Sequence, residues 1–298
     1  MTLVYDAAAQ PRVWVALSEE GGAYAEVVET LRAELPAVQL AAGQWTSFAG
    51  MGDAPPDLIV AVGHAAFEGM LNALSSKPAG WEQVPVLATL LPQSSYRGIL
   101  SRGLAGKRQV SAVVLDQPLM RQLALIRHAL SNRPRVAVLP GPQTRLFLGG
   151  LEREAAALGL TLVAAPAVNA PEDVFPSLKS ALERADVLLA LPDPLIYNSG
   201  SLQNILLTAY RARVPMVSFS PTYVMAGSLL SVYSTPAQIA RQTAALLKRW
   251  QPGQKLPGVQ HSAEFSVVAN PKVAASLGIR LDDPGTIVED LRRRESGS

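Results

Sequence analysis

The chain has no cysteine among its 298 residues. That excludes disulfides, thiolate catalysis and Cys-based zinc or iron–sulfur sites. Its three histidines, His64, His128 and His261, are scattered through the sequence, a poor basis for the ligand set a metal needs, so neither a metal nor a cofactor is expected. Charge is sparse: 17% of residues carry it, and the net balance is +2. Such a chain gives no electrostatic case for nucleic acid or an anionic membrane, and the basic run 292–294 reads as a solvated helix end. Aromatics are only 6%.

Catalytic signatures are missing as well. The sequence contains no Gly-x-Ser-x-Gly elbow and no His-Glu-x-x-His. Glu19-Glu20 has no partner that marks a general acid/base pair, and Gly21-Gly22 is too short for a dinucleotide fingerprint. No catalytic residue is expected. Residues 1–6 show neither a charged start nor a long apolar run. The expectation is therefore either a cytoplasmic protein or one lacking its leader, with residues 7–11 an unstructured lead-in and the final Ser-Gly-Ser a frayed end.

What is present is a core. Hydrophobic residues make up 49% of the chain, a globular composition without signs of disorder. Short apolar runs at 13–17, 58–62, 84–89, 110–115, 135–139, 161–165, 187–190, 215–218, 229–233 and 265–269 predict strands. Helical patterns fall at 23–34, 65–75, 117–131, 143–158, 172–184, 199–211 and 236–250. Apolar strands alternating with helices predict parallel sheets covered on both faces. Ten strands are many for one open sheet, so the pattern predicts an α/β protein of two doubly wound, three-layer lobes. The halves are alike in order. RVWVAL and RVAVLPG each lead into a long helix, DLIVAVG and DVLLALPD each follow an Asp-bearing junction, and VPVLATLLP and VPMVSFSP come next.

No Asp, Glu, Lys or Arg falls between Arg213 and Arg241, yet this stretch is no membrane span. Pro215, Pro221 and Pro236 interrupt it, and hydroxyl residues from Ser218 to Thr235 make it polar. It predicts two buried strands around a hydroxyl-rich loop, then an amphipathic helix whose Ile239, Thr243, Leu246 and Leu247 stripe is core. In open α/β sheets ligands bind beyond the carboxyl ends of the strands. Those ends supply the candidate ligand residues: Ser18, Gly63, His64, Thr89, Gly141, Thr144, Asp193, Tyr197, Ser218, Ser220 and Tyr223. Plainer readings stand beside them. His64 is equally a helix-start residue, Asp193 a turn or cap aspartate, and Ser220-Pro221 the start of a short helix. The amides of 141–144 sit at a helix N-terminus, an anion site by its physics, but no Gly-Lys-Ser/Thr follows to make a P-loop.

The stretch 218–279 resembles the C-terminal part of the ABC-transporter substrate-binding proteins, the tryptophan- and tyrosine-type group included. Matching positions are Gly227, Leu229, Leu230, Tyr233, Gln238, Ile239, Arg241, Gln242, Asn270, Lys272, Ala274, Leu277, Gly278 and Ile279. Upstream, DLIVAVGHAAFE and RVAVLPGPQTRLFLGGLEREAAALGLTL are similar to the family's opening strands, so the likeness covers roughly 12–281. It implies a type I periplasmic-binding-protein fold, with residues 12–115 plus 236–256 in one lobe and 116–235 plus 257–298 in the other. It also implies hinges at 115–117, 231–234 and 257–263 and a small organic ligand in the interlobe cleft. The further implications are an ABC permease of the inner membrane as partner, a monomer, and a periplasmic or envelope-attached location. Departures fall in the cleft that the resemblance implies: His64-Ala65 stands where the family has Thr-Pro, Leu139-Pro140-Gly141 where it has Tyr-Asn-Pro, and Ala240 where it has Gly. A stand-alone ligand-sensing receptor of the same fold and, further off, an α/β transferase are the alternatives.

Overall fold

The computed structural model describes residues 11–50, 54–76 and 80–297; the lead-in residues 7–10 and the terminal Ser298 lie outside the described residues. In chain order the elements are β1 Arg12–Leu17, α1 Gly22–Glu34, β2 Gln39–Gln44, β3 Leu58–Val62, α2 His64–Ser75, β4 Val86–Leu91, α3 Gln93–Leu100 and β5 Val110–Val114. There follow α4 Leu119–Ala129, β6 Arg135–Val138, α5 Leu148–Ala157, β7 Thr161–Ala164, α6 Val174–Leu182, β8 Val187–Leu189, α7 Leu202–Arg211, β9 Met216–Ser218, α8 Pro221–Ala226 and β10 Leu230–Tyr233. The chain ends with α9 Pro236–Leu247, β11 Gln260–His261, β12 Ser266–Ala269, α10 Pro271–Ser276 and α11 Pro284–Ser296.

The chain forms two compact units, Met1–Leu115 with Thr235–Glu264, and Asp116–Ser234 with Phe265–Ser298. Each holds one six-stranded sheet. The first has the order β11-β5-β4-β3-β1-β2 and the second β12-β10-β9-β8-β6-β7. Slot for slot the two orders are the same, except that β11 runs parallel to β5 and β12 antiparallel to β10.

Side chains in β3 alternate between two cores, as a strand buried on both faces must. Leu58, Val60 and Val62 pack with α1 and α9 residues such as Val27, Leu31, Ile239 and Ala244. Ile59 and Ala61 pack with Phe67, Leu71 and Tyr96 of α2 and α3. In the second unit β8 does the same, Val187 and Leu189 facing α4 and α5 while Leu188 faces α6 and α7.

The return helix α9 starts on a capping box. Thr235 Oγ1 accepts from the Gln238 N–H at 3.2 Å, and Gln238 Oε1 accepts from the Thr235 N–H at 2.8 Å, with Pro236 at the first helical position. Two neutral polar partners and a proline make this boundary sharp.

The unit boundary after α9 differs from the expected one. Residues 257–264 belong with the first unit, not the second. Gln260 and His261 pair with Val113 and Val114, Gln242 Nε2 donates to Gln260 Oε1 at 2.9 Å, and Arg241 forms an ion pair with Glu264 at 2.6 Å. Thr235 likewise goes with the helix it caps. The expected single helix over 143–158 is a 3-10 turn, Thr144–Phe147, followed by α5.

Candidate functional site

In the first unit β1 and β3 are neighbours, and α2 begins directly after β3. Gly63 makes that turn at φ +89°; a Cβ there would meet Ser18 Oγ at 2.6 Å and Tyr24 Cε1 at 2.8 Å, so the position requires glycine. Ser18 Oγ donates to the Val62 carbonyl at 3.0 Å and accepts from the Ala66 N–H at 2.9 Å. A hydroxyl at the end of β1 thus holds the first turn of α2. His64 opens that helix with its side chain 54% exposed, and its Nε2 lies 3.2 Å from Glu68 Oε2. The Arg102 hydrogen bond, 2.7 Å to Glu68 Oε1, holds the Glu68 carboxyl below its usual range. Burial pushes the Tyr24 phenol up, with Glu19 adding to it.

Thr89 is placed differently from its expected position. The strand does not end there: Leu90, at φ +56°, forms an irregularity that carries β4 on to Leu91. The Thr89 side chain is fully buried and shares a 3.0 Å hydrogen bond with Thr243 of α9. It ties helix to sheet and has no face left for a ligand.

In the second unit the strand-end groups form a knot around a buried carboxylate. Asp193, 2% exposed, accepts from the Gln143 N–H at 2.9 Å and the Thr144 N–H at 3.3 Å through Oδ2, and from the Leu195 N–H at 3.2 Å through Oδ1. The amides of residues 143 and 144 therefore already face an internal anion, which is the turn-and-cap reading of Asp193. Thr144 Oγ1 accepts from the Gly141 N–H at 2.8 Å and donates to the Leu139 carbonyl at 3.1 Å. A Cβ on Gly141 would stand 2.3 Å from Asp193 Oδ2. Ser218 is buried, its Oγ 2.8 Å from Ser228 Oγ. Gly141, Thr144 and Asp193 are thus brought together as interior supports, and Ser218 is held separately by Ser228, so none is a group offered outward.

Three aromatic rings pack together at this edge, with Tyr197 buried and Phe219 and Tyr223 partly exposed. Tyr197 and Phe219 are 6.1 Å apart in edge contact, and Phe219 and Tyr223 4.9 Å apart and tilted. Tyr223, half-buried, donates to the Tyr197 carbonyl at 3.3 Å. Ser220 caps α8 by accepting from the Thr222 N–H at 3.3 Å. Burial raises both phenols, and the Tyr197 hydroxyl is buried without a hydrogen-bond partner. Sequence reasoning missed Phe219, although it lies between two predicted site residues; its alternation with Ser218 and Ser220 was the available signal. Among the described residues no group of three or more His, Asp or Glu side chains is placed to hold a metal.

A family model described as ABC transporter substrate binding protein matches residues 47–287. The chain belongs to that family. No curated protein matches it. Among solved structures, a substrate-binding protein with adhesive properties from Clostridium difficile, in its ligand-free open form, has TM-score 0.67 at 15% identity, over 92% of this chain and 96% of its own. A conserved domain protein from Vibrio cholerae has TM-score 0.57 at 20% identity, over 94% and 98%. An ABC domain in complex with L-Trp, from Streptococcus pneumonia, has 0.55 at 16%, over 93% and 98%. At these identities the likeness shows the fold, a two-unit α/β architecture of the type I periplasmic-binding-protein kind.

A substrate-binding protein of an ABC transporter works with a small-molecule ligand and a permease, and it is not an enzyme. Proteins of this family are typically periplasmic, and among the described residues no helix is long and apolar enough to cross a membrane.

Proposed function

We propose that this substrate-binding protein captures a small organic solute with a planar apolar part, in its sharpest form an aromatic amino acid, and delivers it as a monomer to an ABC permease of the inner membrane. The observation that carries the reading is the Tyr197–Phe219–Tyr223 cluster beside β8 and β9, where ligands of open α/β sheets bind. The partly exposed rings of Phe219 and Tyr223 favour a planar partner. The L-Trp complex on the same fold is a precedent.

The two units differ in how they would receive an anionic group. In the second, Asp193 already occupies the amides of 143 and 144. In the first, Ser18 caps α2 with a neutral hydroxyl, and the first-turn residues His64 and Ala65 are exposed. Of the two, the α2 start, with His64 in place of the family's Thr, is the position left open to a carboxylate.

The test is a thermal-shift screen of aromatic amino acids, other amino acids, nucleosides, sugars and small carboxylates, followed by calorimetry. A ligand at a hundredfold its Kd raises stability by about 2.7 kcal/mol. Saturable binding of an aromatic amino acid, weakened by Tyr223→Ala, is the expected result. Binding confined to sugars would overturn the solute class and leave the family role standing.

A further inference from the structure

At the opposite edge of the first sheet, where β4 and β5 begin, lies a cavity of about 520 Å³ lined by Leu74, Glu82, Leu104, Lys107, Arg108 and Gln109, among others. Its volume falls in the range of small-molecule sites. Arg108 is only 8% exposed. A buried guanidinium ordinarily has a carboxylate across from it, because an unpaired buried charge is costly. No such ion pair is formed here among the described residues. Arg108 Nη2 reaches the Leu74 and Trp81 carbonyls at 3.5 and 3.4 Å, the far limit of a hydrogen bond, and its Nε is buried without a partner. Leu74 lies in the last turn of α2, whose carbonyl end supplies a partial negative charge.

Glu82 lines the same cavity, but its Oε2 accepts from the Gly80 N–H at 2.8 Å. It acts on Arg108 only through space, and burial still draws the guanidinium below its ordinary value. Lys107, exposed and adjacent in sequence, adds a second positive charge at the cavity wall.

We propose that this cavity is a second binding site, separate from the strand-end loops, and that it takes a small oxyanion, a phosphate or carboxylate group, on Arg108 and Lys107. The guanidinium suits this chemistry because its planar fork of donors matches two oxygens of such a group. The oxyanion would supply the counter-charge that the protein withholds. Lys107 contributes attraction without a fixed geometry, and Glu82 limits the affinity.

The experiment is calorimetry and thermal shift on the full chain with inorganic phosphate and, separately, malonate, each against chloride at equal ionic strength. Saturable binding of either is expected, and the tighter of the two names the group. Lys107→Gln should weaken it roughly tenfold and Glu82→Gln should tighten it several-fold, as expected for charges beside a charge-assisted contact. Arg108→Gln should abolish it; if that variant does not fold, the Lys107 and Glu82 pair still decides. No saturable binding over chloride, or binding that neither substitution changes, would overturn the proposal. An aromatic solute that binds while phosphate and malonate do not would overturn this site alone and leave the proposed solute site intact.

Discussion

The two units fasten the amino ends of their sheets in the same way and the carboxyl ends in different ways. At the amino end, Asp57 ahead of β3 accepts the Arg12 N–H at 2.8 Å, and its own N–H donates to the Arg12 carbonyl at 2.9 Å. Asp186 ahead of β8 repeats this with Arg135, at 3.0 and 2.8 Å. At the carboxyl end the first unit uses the neutral Ser18, sent from the β1 slot to the helix after β3. The second uses the charged Asp193, sent from the slot equivalent to β3 to the turn after β6. Topology conserves the backbone stitch because both sheets need the same strand pairing started. It leaves open which group satisfies the helix or turn amides, and there the two units have diverged in charge and direction. A unit that fills its own anion position cannot offer it to a ligand.

The sharpest test of this comparison is Asp193→Ala. Loss of a buried carboxylate that accepts three backbone N–H groups should cost about 3 kcal/mol of unfolding free energy, read by denaturant melts. A stable variant that merely loses solute binding would return Asp193 to the ligand side. Next is Gly141→Ala, expected to cost about 2 kcal/mol by driving a methyl into the same carboxylate. Its effect should be less than additive with Asp193→Ala in a double-mutant cycle, since the two act on one contact.

In the first unit, Gly63→Ala forces a Cβ into a positive-φ turn against Ser18 and should cost about 1–2 kcal/mol. Ser18→Ala, which removes a neutral cap, should cost about 1 kcal/mol. The smallest effect belongs to pH. The Arg135 hydrogen bond holds the Asp186 carboxyl below its usual range. That pair therefore contributes stability above the unfolded carboxylate pKa, near 4, and loses it as pH falls through the lower folded value. Arg135→Gln should flatten this acid limb only slightly, because the pair is partly solvated.

Much of the fold was legible because parallel strands buried on both faces read as uninterrupted apolar runs. Runs such as 58–62 and 187–190 sit on observed strands. Strand β2, QLAAGQ, escaped notice because an edge strand needs no such run, and β11 because two residues carry no pattern. Helices α3 and α10 were hidden by shortness, while α8 and α11 were legible only as a short-helix start at Ser220-Pro221 and a helix end at 292–294. The candidates were chosen by position: Ser18 falls at the end of β1, Gly63 and His64 fall after β3, and Asp193, Tyr197, Ser220 and Tyr223 fall near the strand ends of the second unit. Which of them face inward was not legible. Thr89 and Thr243 are far apart in the chain and meet only because α9 returns to the first unit.

The sequence by itself determined the class of fold and the pairing of two similar halves, because hydrophobic period, proline placement and capping residues act over a few neighbours at a time, while the family was read from the resemblance carried by residues 218–279. Only the tertiary structure decided which polar groups are supports and which are open. A hydroxyl or carboxylate is committed when a distant amide or hydroxyl is brought within about 3 Å of it, and that distance is a property of packed elements, not of any stretch of chain. The same holds for Arg108, an ordinary arginine in sequence whose missing partner shows only once the end of α2 and the starts of β4 and β5 close around it.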